Sequence, residues 1–366
     1  MADILISGYH GFANSGDEAL LFAILNTLRK KKPDLDFTVL SKKPDETANV
    51  YNVCSISRYN LFKVRKEMKN SKMLLFGGGS LLQDVTSSKS ILYYLAIIRL
   101  AQKCGIKTML YANGIGPITK RHNRKLASRI LNKVDFITLR DDKSDEELKS
   151  LGVTKPKVII TADPAFTIDT DISQSGKFFT NIAGVPAGTK LCIVSIRAWK
   201  NSSPHFDSDL AKLCDYMVTT HGIYPLFVPM QYPEDTEISK TVMSLMKESS
   251  YIINRELSVP EMFSVLSEAE LLIGMRLHSL IYATTLAIPA MPLCYDPKIS
   301  AFMESLNQPD RINVENFDLE KAKELLTTII NERQMRSEDL KKTNAVLKET
   351  AQKNADYAIE LLNSAL

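Results

Sequence analysis

An arginine and a histidine stand two residues apart in "GMRLHS" (Gly274–Ser279), inside an apolar run from Leu271 to Pro289. A guanidinium and an imidazole beside a core strand are costly unless something satisfies them. Arg276 and His278 follow directly on Gly274, where the pattern changes from strand to helix, and Lys298 follows the next strand in "YDPKIS". Cationic groups at adjacent strand ends, next to a helix amino terminus, suit an anion with two charges. An imidazole of ordinary pKa, about 6.5, also carries protons in both directions near neutral pH. The chemistry implied is anion binding coupled to acid–base catalysis. Taken alone, His278 also fits a satisfied core histidine.

Glycine-rich turns form a second group. "SGYHGFANSGDEALL" ends a strand at Gly8 and starts a helix near Ser15, with Glu18 at capping-box spacing. Gly8, Gly11 and Gly16 either shape a well-made helix start or let backbone N–H groups cradle an anion or a sugar hydroxyl. Asp17, in the first turn, is the acid able to take a proton from such a hydroxyl. In "LLFGGGSLLQD", Gly77, Gly78 and Gly79 are more glycine than a simple turn needs, and they admit close approach of a ligand. Ser80 is placed to cap the next helix, with Gln83 and Asp84 one turn in. Neither motif is G-x-G-x-x-G or a Walker loop.

Four more strand ends carry polar groups. "NGIGP" (Asn113–Pro117) and "TADPAF" (Thr161–Phe166) are two, with Asp163 held extended by Pro164 as a turn cap or a site acid. Arg140, in "TLRDDKS", either pairs with Asp141 or Asp142 at the surface or serves the site. Arg197 and Trp199, the only tryptophan, open the second half in "VSIRAWKNSS", the indole suited either to stacking on a sugar or to packing.

The elements that position these groups are strands alternating with helices. "DILISGY", "DFTVLS", "KMLLFGGGS", "KTMLYANGIGP", "DFITLRD" and "KVIITADPAF" read as strands, with helical spacing between them, as in "GDEALLFAILNTLRKKK". Continuous apolar strands separated by helices predict a parallel sheet covered on both faces. A polar stretch near Thr167–Gly188 breaks the pattern. "KLCIVSIR", "IYPLFVPMQ", "SYIIN", "AELLIGMR" and "AIPAMPLCYD" then begin a second series. The expected α/β organisation is a doubly wound domain over residues 1–170, a linker at 171–189 and a second doubly wound domain over 190–345. A terminal helix at 346–366 is expected to pack back on the first domain. Ligands belong at the strand carboxyl ends, in a cleft the two domains face.

Composition narrows the classes. The 366 residues include 45% hydrophobic and 24% charged residues, with a net charge of +4, so a large core is affordable and an anionic small substrate fits. No basic block is interleaved with aromatics, which excludes a nucleic-acid partner, and "RKKKPDLD" reads as a solvated helix end. The five cysteines form no C-x-x-C pair and read as reduced thiols, pointing to a cytoplasmic protein. No signal peptide is expected at the amino terminus, and no apolar run reaches the roughly 20 residues of a membrane span. "ILYYLAIIRLAQK" is either a packed core helix or a peripheral contact with the inner membrane face, as is the tail. No His, Cys or Asp cluster has metal-ligand spacing.

As an ordered set, "GYHGFANSGDEALL", "FGGGSLLQD", "GIGP", "TLRDDKS", "TADPAF", "GMRLHSLIYA" and "YDPKISAFM" resemble the polysaccharide pyruvyl transferase family. Within it they are similar to the CsaB-type enzymes of bacterial cell walls. The resemblance extends to about Phe302. It implies two Rossmann-like domains of glycosyltransferase-B type, the first on the acceptor side and the second on the donor side. It implies phosphoenolpyruvate as co-substrate, with no cofactor. The product implied is a 4,6-pyruvate ketal on β-linked N-acetylmannosamine of a secondary cell-wall polymer or its lipid-linked precursor, the kind of ketal that S-layer-homology domains bind.

Carried over by motif, Arg276 and His278 match the family's R-L-H element, and Lys298 its lysine after the next strand. Arg140 matches the R-D element and Ser15 the amino-terminal loop, so these five are the donor candidates. Gly78, Gly79, Ser80, Gln83, Asp84, Arg197 and Trp199 are the acceptor candidates, and His278, Arg276 and Asp17 the catalytic ones. His10 stands where an aromatic is common in the family. Two-domain sugar-nucleotide transferases commonly hold ribose through an acid in this region, and here none occurs between His278 and Asp296. A nucleotide-sugar glycosyltransferase is the nearest rival reading, and a non-catalytic sugar- or anion-binding protein the next.

Overall fold

A computed structural model describes residues 2–85, 88–169 and 183–364. The chain divides into two compact units, Met1–Ile168 with Leu347–Leu366, and Asp169–Val346. Of the expected linker, residues 171–182 lie outside the described residues.

The first unit is built on seven parallel strands: β1 (Ile4–His10), β2 (Phe37–Ser41), β3 (Cys54–Ser57), β4 (Met73–Gly77), β5 (Lys107–Asn113), β6 (Phe136–Leu139) and β7 (Lys157–Ile160). Their order is β3-β2-β1-β4-β5-β6-β7, so the winding reverses between β1 and β4. Ligands of doubly wound sheets bind outside the carboxyl ends at such a reversal. Because strand side chains alternate between faces, Ile4, Ile6, Met73 and Leu75 enter one core, and Leu5, Leu74 and Phe76 the other. The first core is closed by α1 (Ser15–Lys31) and by Ala355, Ala358 and Leu362 of the chain's last helix. The second is closed by α4 (Ser88–Cys104), α5 (Arg121–Leu131) and α3 (Leu61–Lys69). The "ILYYLAIIRLAQK" stretch is therefore core. Ile91, Tyr94, Leu95, Ile97 and Ile98 are buried, so this face of the helix packs on the sheet. Between these elements run α2 (Pro44–Tyr51) and α6 (Asp142–Ser150).

Six parallel strands build the second unit: β8 (Lys190–Ser195), β9 (Ile223–Phe227), β10 (Tyr251–Ile252), β11 (Ala269–Gly274), β12 (Ala290–Cys294) and β13 (Ile312–Asn313). The order β10-β9-β8-β11-β12-β13 reverses between β8 and β11. Its helices are α7 (Phe206–His221), α8 (Glu234–Leu245), α9 (Val259–Leu266), α10 (Leu277–Thr285), α11 (Pro297–Ser305) and α12 (Leu319–Asn331). The long α13 (Arg333–Asn363) then carries the chain into the first unit's core. Among the described residues, no helix is long and apolar enough to cross a membrane. All five cysteines are free; Cys192, Cys214 and Cys294 are buried, whereas Cys54 is exposed.

Candidate active site

In the first unit the expected capping box is replaced by a different arrangement. Asn14, not Ser15, caps α1, its Oδ1 accepting from the N–H groups of Gly16 (3.1 Å) and Asp17 (3.3 Å). Glu18 turns back to accept from Gly11 N–H (2.8 Å) and from Tyr51 Oη (2.7 Å). Ser15 lies buried at the helix start. The loop after β4 reaches this turn: Gly78 and Gly79 have φ of +64° and +72°, and a Cβ on Gly79 would stand 3.1 Å from Asp17 Oδ1. The structure thus brings Asp17 and the glycine turn together at the β1/β4 reversal.

Ser80 caps no helix, since α4 starts only at Ser88. Its hydroxyl accepts from Arg140 Nη2 at 2.8 Å, and Arg140 Nη1 donates to Asp163 at 3.0 Å. Arg140 and Asp163 are 7% and 4% exposed, so this is a buried pair and not a surface bridge; Asp141 lies farther off, at 3.5 Å. Asp163 also caps the short turn Pro164–Thr167 through Ala165 N–H. Gln83 and Asp84 belong to a loop, not a helix, and Gln83 accepts from Val85 N–H. Asp84 is buried and takes four hydrogen bonds, from Thr119 N and Oγ1, Lys120 N and Asn123 Nδ2. Burial opposes its charge, but those donors hold the carboxyl well below the usual carboxylate range. Asp84 binds the loop before α5, which leaves it no oxygen for a sugar.

His10 and Arg58 close this edge. Arg58 follows β3, is 5% exposed, donates to Gly8 O (3.0 Å) and lies over the Phe12, Tyr59, Tyr93 and Tyr94 rings. Burial, and then the Arg58 charge, push the His10 imidazole down to about 3. Its ring fills the space a Gly8 side chain would need, a Cβ there falling 2.3 Å from Nε2. Sequence reasoning missed Arg58 because the edge strand before it is short.

At the carboxyl ends of the second sheet, three neighbouring strands, β8, β11 and β12, present the expected cations. Arg276 is the N-cap residue of α10 and His278 lies in its first turn, 6.2 Å ring to ring from Tyr282. Lys298, in the first turn of α11, follows the adjacent strand, with Asp296 capping that helix through Lys298 N–H. Both His278 and Lys298 are half-buried. Arg276 is not a bare cation: Asp235, in the first turn of α8, accepts from its Nε at 3.0 Å and its Nη2 at 2.5 Å. The Asp235 side chain is 2% exposed and also accepts from Gln231 N–H.

Arg197, after β8, lies over Tyr295 and donates to its hydroxyl (3.3 Å). Trp199 tilts against the same ring, 4.8 Å between centroids, and donates to Glu315 (3.3 Å), so one indole face is packed. Ser195 Oγ, Arg197 Nε and Thr236 Oγ1 are buried with no hydrogen bond among the described residues. Interiors avoid such a concentration of unsatisfied polar atoms outside sites of function. Asp235 and Tyr295 are the residues missed here; an acid one turn past a strand end, in "QYPEDT", was the available signal for Asp235. Among the described residues, no group of three or more His, Cys, Asp or Glu side chains could hold a metal ion.

Residues 14–297, which run from the α1 cap to the start of α11, match the family model described as polysaccharide pyruvyl transferase. The chain belongs to this family. Its members are transferases acting on polysaccharide, so the two edges belong to a pyruvyl transferase. The amylovoran biosynthesis protein AmsJ of Erwinia amylovora is 21% identical, over 84% of this chain and 86% of its own. The fold is similar to solved structures of much lower identity. Anabaena Alr3699/HepE, in complex with UDP and glucose, superposes with a TM-score of 0.65 at 11% identity, covering 100% of both chains. The Neisseria meningitidis UDP-GlcNAc 2-epimerase, bound to UDP-GlcNAc, gives 0.64 at 10% identity, covering 99% of this chain and 100% of its own. The pyruvyl transferase fold is thus the glycosyltransferase-B-like pair of Rossmann-like units.

Proposed function

We propose that the chain transfers pyruvate from phosphoenolpyruvate to two hydroxyls of one sugar, forming a cyclic ketal and releasing phosphate. The acceptor we assign is β-linked N-acetylmannosamine, ketalised at positions 4 and 6, in a cell-wall polysaccharide or its lipid-linked precursor on the cytoplasmic side. The observation that carries the reading is the set of Arg276, His278 and Lys298 on adjacent strand ends of a family member.

The donor has a carboxylate, a phosphate and an enol double bond. Asp235 holds the Nε/Nη2 edge of Arg276, leaving Nη1 for the donor's carboxylate. Lys298, a compact cation on a flexible stem, suits the phosphate, and the amino terminus of α11 adds a partial positive charge. His278, protonated, delivers its proton to the methylene carbon, which becomes the ketal's methyl group and leaves carbon 2 electron-poor. One sugar hydroxyl adds to carbon 2 as the carbon–oxygen bond to phosphate breaks, and the second hydroxyl closes the ring. The two hydroxyl protons pass to a base and to the leaving phosphate. Asp17, at the glycine turn of the first unit, is the acid we assign to an acceptor hydroxyl, with Gly78, Gly79 and Ser80 shaping the turn. Arg197 and Trp199, partly packed, are assigned to sugar contacts at the second sheet's edge.

Incubation with phosphoenolpyruvate and β-N-acetylmannosaminyl or galactosyl disaccharides tests this, with the ketal mass and released phosphate as readouts. Turnover supports the reading, and none across the panel overturns it. Protection from thermal unfolding by UDP compounds, but not by phosphoenolpyruvate, would favour a nucleotide-sugar donor.

A further inference from the structure

We propose that the turn after β3 and helix α3 dock the first unit on a bilayer rich in anionic phospholipid. This rests on the pyruvyl-transfer reading and names its acceptor as the lipid-linked precursor. Tyr59, Leu61 and Phe62 are 63%, 58% and 81% exposed, three large apolar side chains within four residues. Scattered surface apolar residues are ordinary, but a contiguous knuckle marks an interaction surface.

The knuckle is held out by structure. Asn60 caps α3 through Lys63 N–H (3.0 Å), and the residue before the knuckle, Arg58, is buried with its guanidinium bonded to Gly8 O. Tyr93 Oη donates to the Arg58 carbonyl (3.0 Å). Val64 and Met68 turn inward, so Phe62, Arg65, Lys66 and Lys69, at helical spacing i, i+3, i+4 and i+7, share the outward face. Lys63, Arg65, Lys66 and Lys69 are all exposed, and among the described residues none forms an ion pair, whereas neighbouring Lys72 pairs with Asp3. The helix's only acid, Glu67, accepts from Thr38 Oγ1.

An apolar tip beside unpaired cations complements an anionic interface, where the ring enters the headgroup boundary and the cations meet phosphates. A protein partner of the same chemistry would need an acidic groove with an apolar slot, and it is the outcome that would overturn the lipid assignment. The knuckle follows the carboxyl end of β3, on the same edge of the sheet as the Asp17–Gly79 turn. Docking there brings that turn to the membrane surface, where a lipid-linked sugar is presented.

Sedimentation with vesicles of phosphatidylglycerol and phosphatidylcholine, against phosphatidylcholine alone, tests the proposal with the full chain. Binding is expected to the anionic vesicles only and to weaken as salt rises. The triple variant Arg65→Gln/Lys66→Gln/Lys69→Gln should lower partitioning about a hundredfold, and Phe62→Ser about tenfold. Both variants should ketalise a soluble disaccharide at the parent rate. Absence of binding, equal binding to neutral vesicles, or unchanged binding by the triple variant would overturn the proposal. Failure of the parent protein to release phosphate from phosphoenolpyruvate bears on the pyruvyl-transfer reading, while the vesicle result reads the docking surface by itself.

Discussion

Asp235 grips Arg276 through both carboxylate oxygens, at 3.0 Å to Nε and 2.5 Å to Nη2, across 41 residues of sequence. The bond ties the first turn of α8 to the N-cap of α10, the helix whose first turn carries His278. A guanidinium so held is a fixed plane with one free edge, and its charge is offset by its partner. Net attraction for a dianion then depends on Lys298 and on the helix amino termini.

Replacing Asp235 by Asn keeps the shape and removes the charge. Breaking a buried pair costs about 3–5 kcal/mol of stability, so the melting temperature should fall. In the fraction that stays folded, kcat/KM for phosphoenolpyruvate should drop on the order of tenfold to a hundredfold, because Arg276 loses its orientation. Arg276→Lys should behave alike in kinetics, since an ammonium cannot make the two-point contact. Parent kinetics in Asp235→Asn would show that the pair only braces two loops.

Asp84 illustrates a residue whose motif pointed to a ligand and whose surroundings give it another task. With four donors around its carboxylate, Asp84→Asn should destabilise the protein by about 3 kcal/mol, since its amide faces groups that are themselves donors. A carboxyl held below its ordinary range stabilises the fold above that range and loses the contribution as pH falls through it. Acid unfolding should therefore be shallower in the variant. An unchanged melting temperature with a raised KM for the sugar would return Asp84 to the acceptor site.

Strand periodicity made most of both sheets legible, because buried parallel strands are continuous apolar runs. The two strands that escaped, β3 and β13, are short edge strands, "CSIS" and "IN", with no apolar run to announce them. Missing β3 hid Arg58 and the exposed knuckle beyond it. Strand-end positions of Arg276, His278 and Lys298 were legible from local pattern, and the partners of Arg276 and Arg140 were not. Asp235 and Asp163 lie 41 and 23 residues from the arginines they hold, and only the fold sets such distances. Asn14, not Ser15, is the cap because its side chain reaches the N–H groups of Gly16 and Asp17, a choice between adjacent capping residues that spacing alone does not make.

His278 is the proton carrier in the proposed reaction, and its replacement separates chemistry from binding. His278→Gln should lower kcat by about a hundredfold to ten-thousandfold, the range for loss of a general acid. KM for phosphoenolpyruvate should stay within a few-fold, since Arg276 and Lys298 remain. A rate within tenfold of the parent would assign the proton to another group.

His10 carries a pH dependence that can be isolated. Its imidazole is buried beside the Arg58 charge and is pushed down to about 3 in the folded protein, whereas an unfolded chain titrates near its ordinary value of about 6.5. Between those values the unfolded state binds a proton that the folded state refuses, so stability falls as pH drops from about 6.5 toward 3. At pH 5 the loss from this group is about 2 kcal/mol relative to neutral pH. A phenyl ring fills the same space over Gly8 and has no proton to gain. Urea unfolding of the parent and of His10→Phe, at pH 7 and pH 5, measures the difference, with carboxylate titrations common to both proteins. The parent should lose about 2 kcal/mol more than the variant on acidification. Equal losses would mean that His10 takes up its proton within the folded loop, where Asp17 backbone contact favours the charged ring.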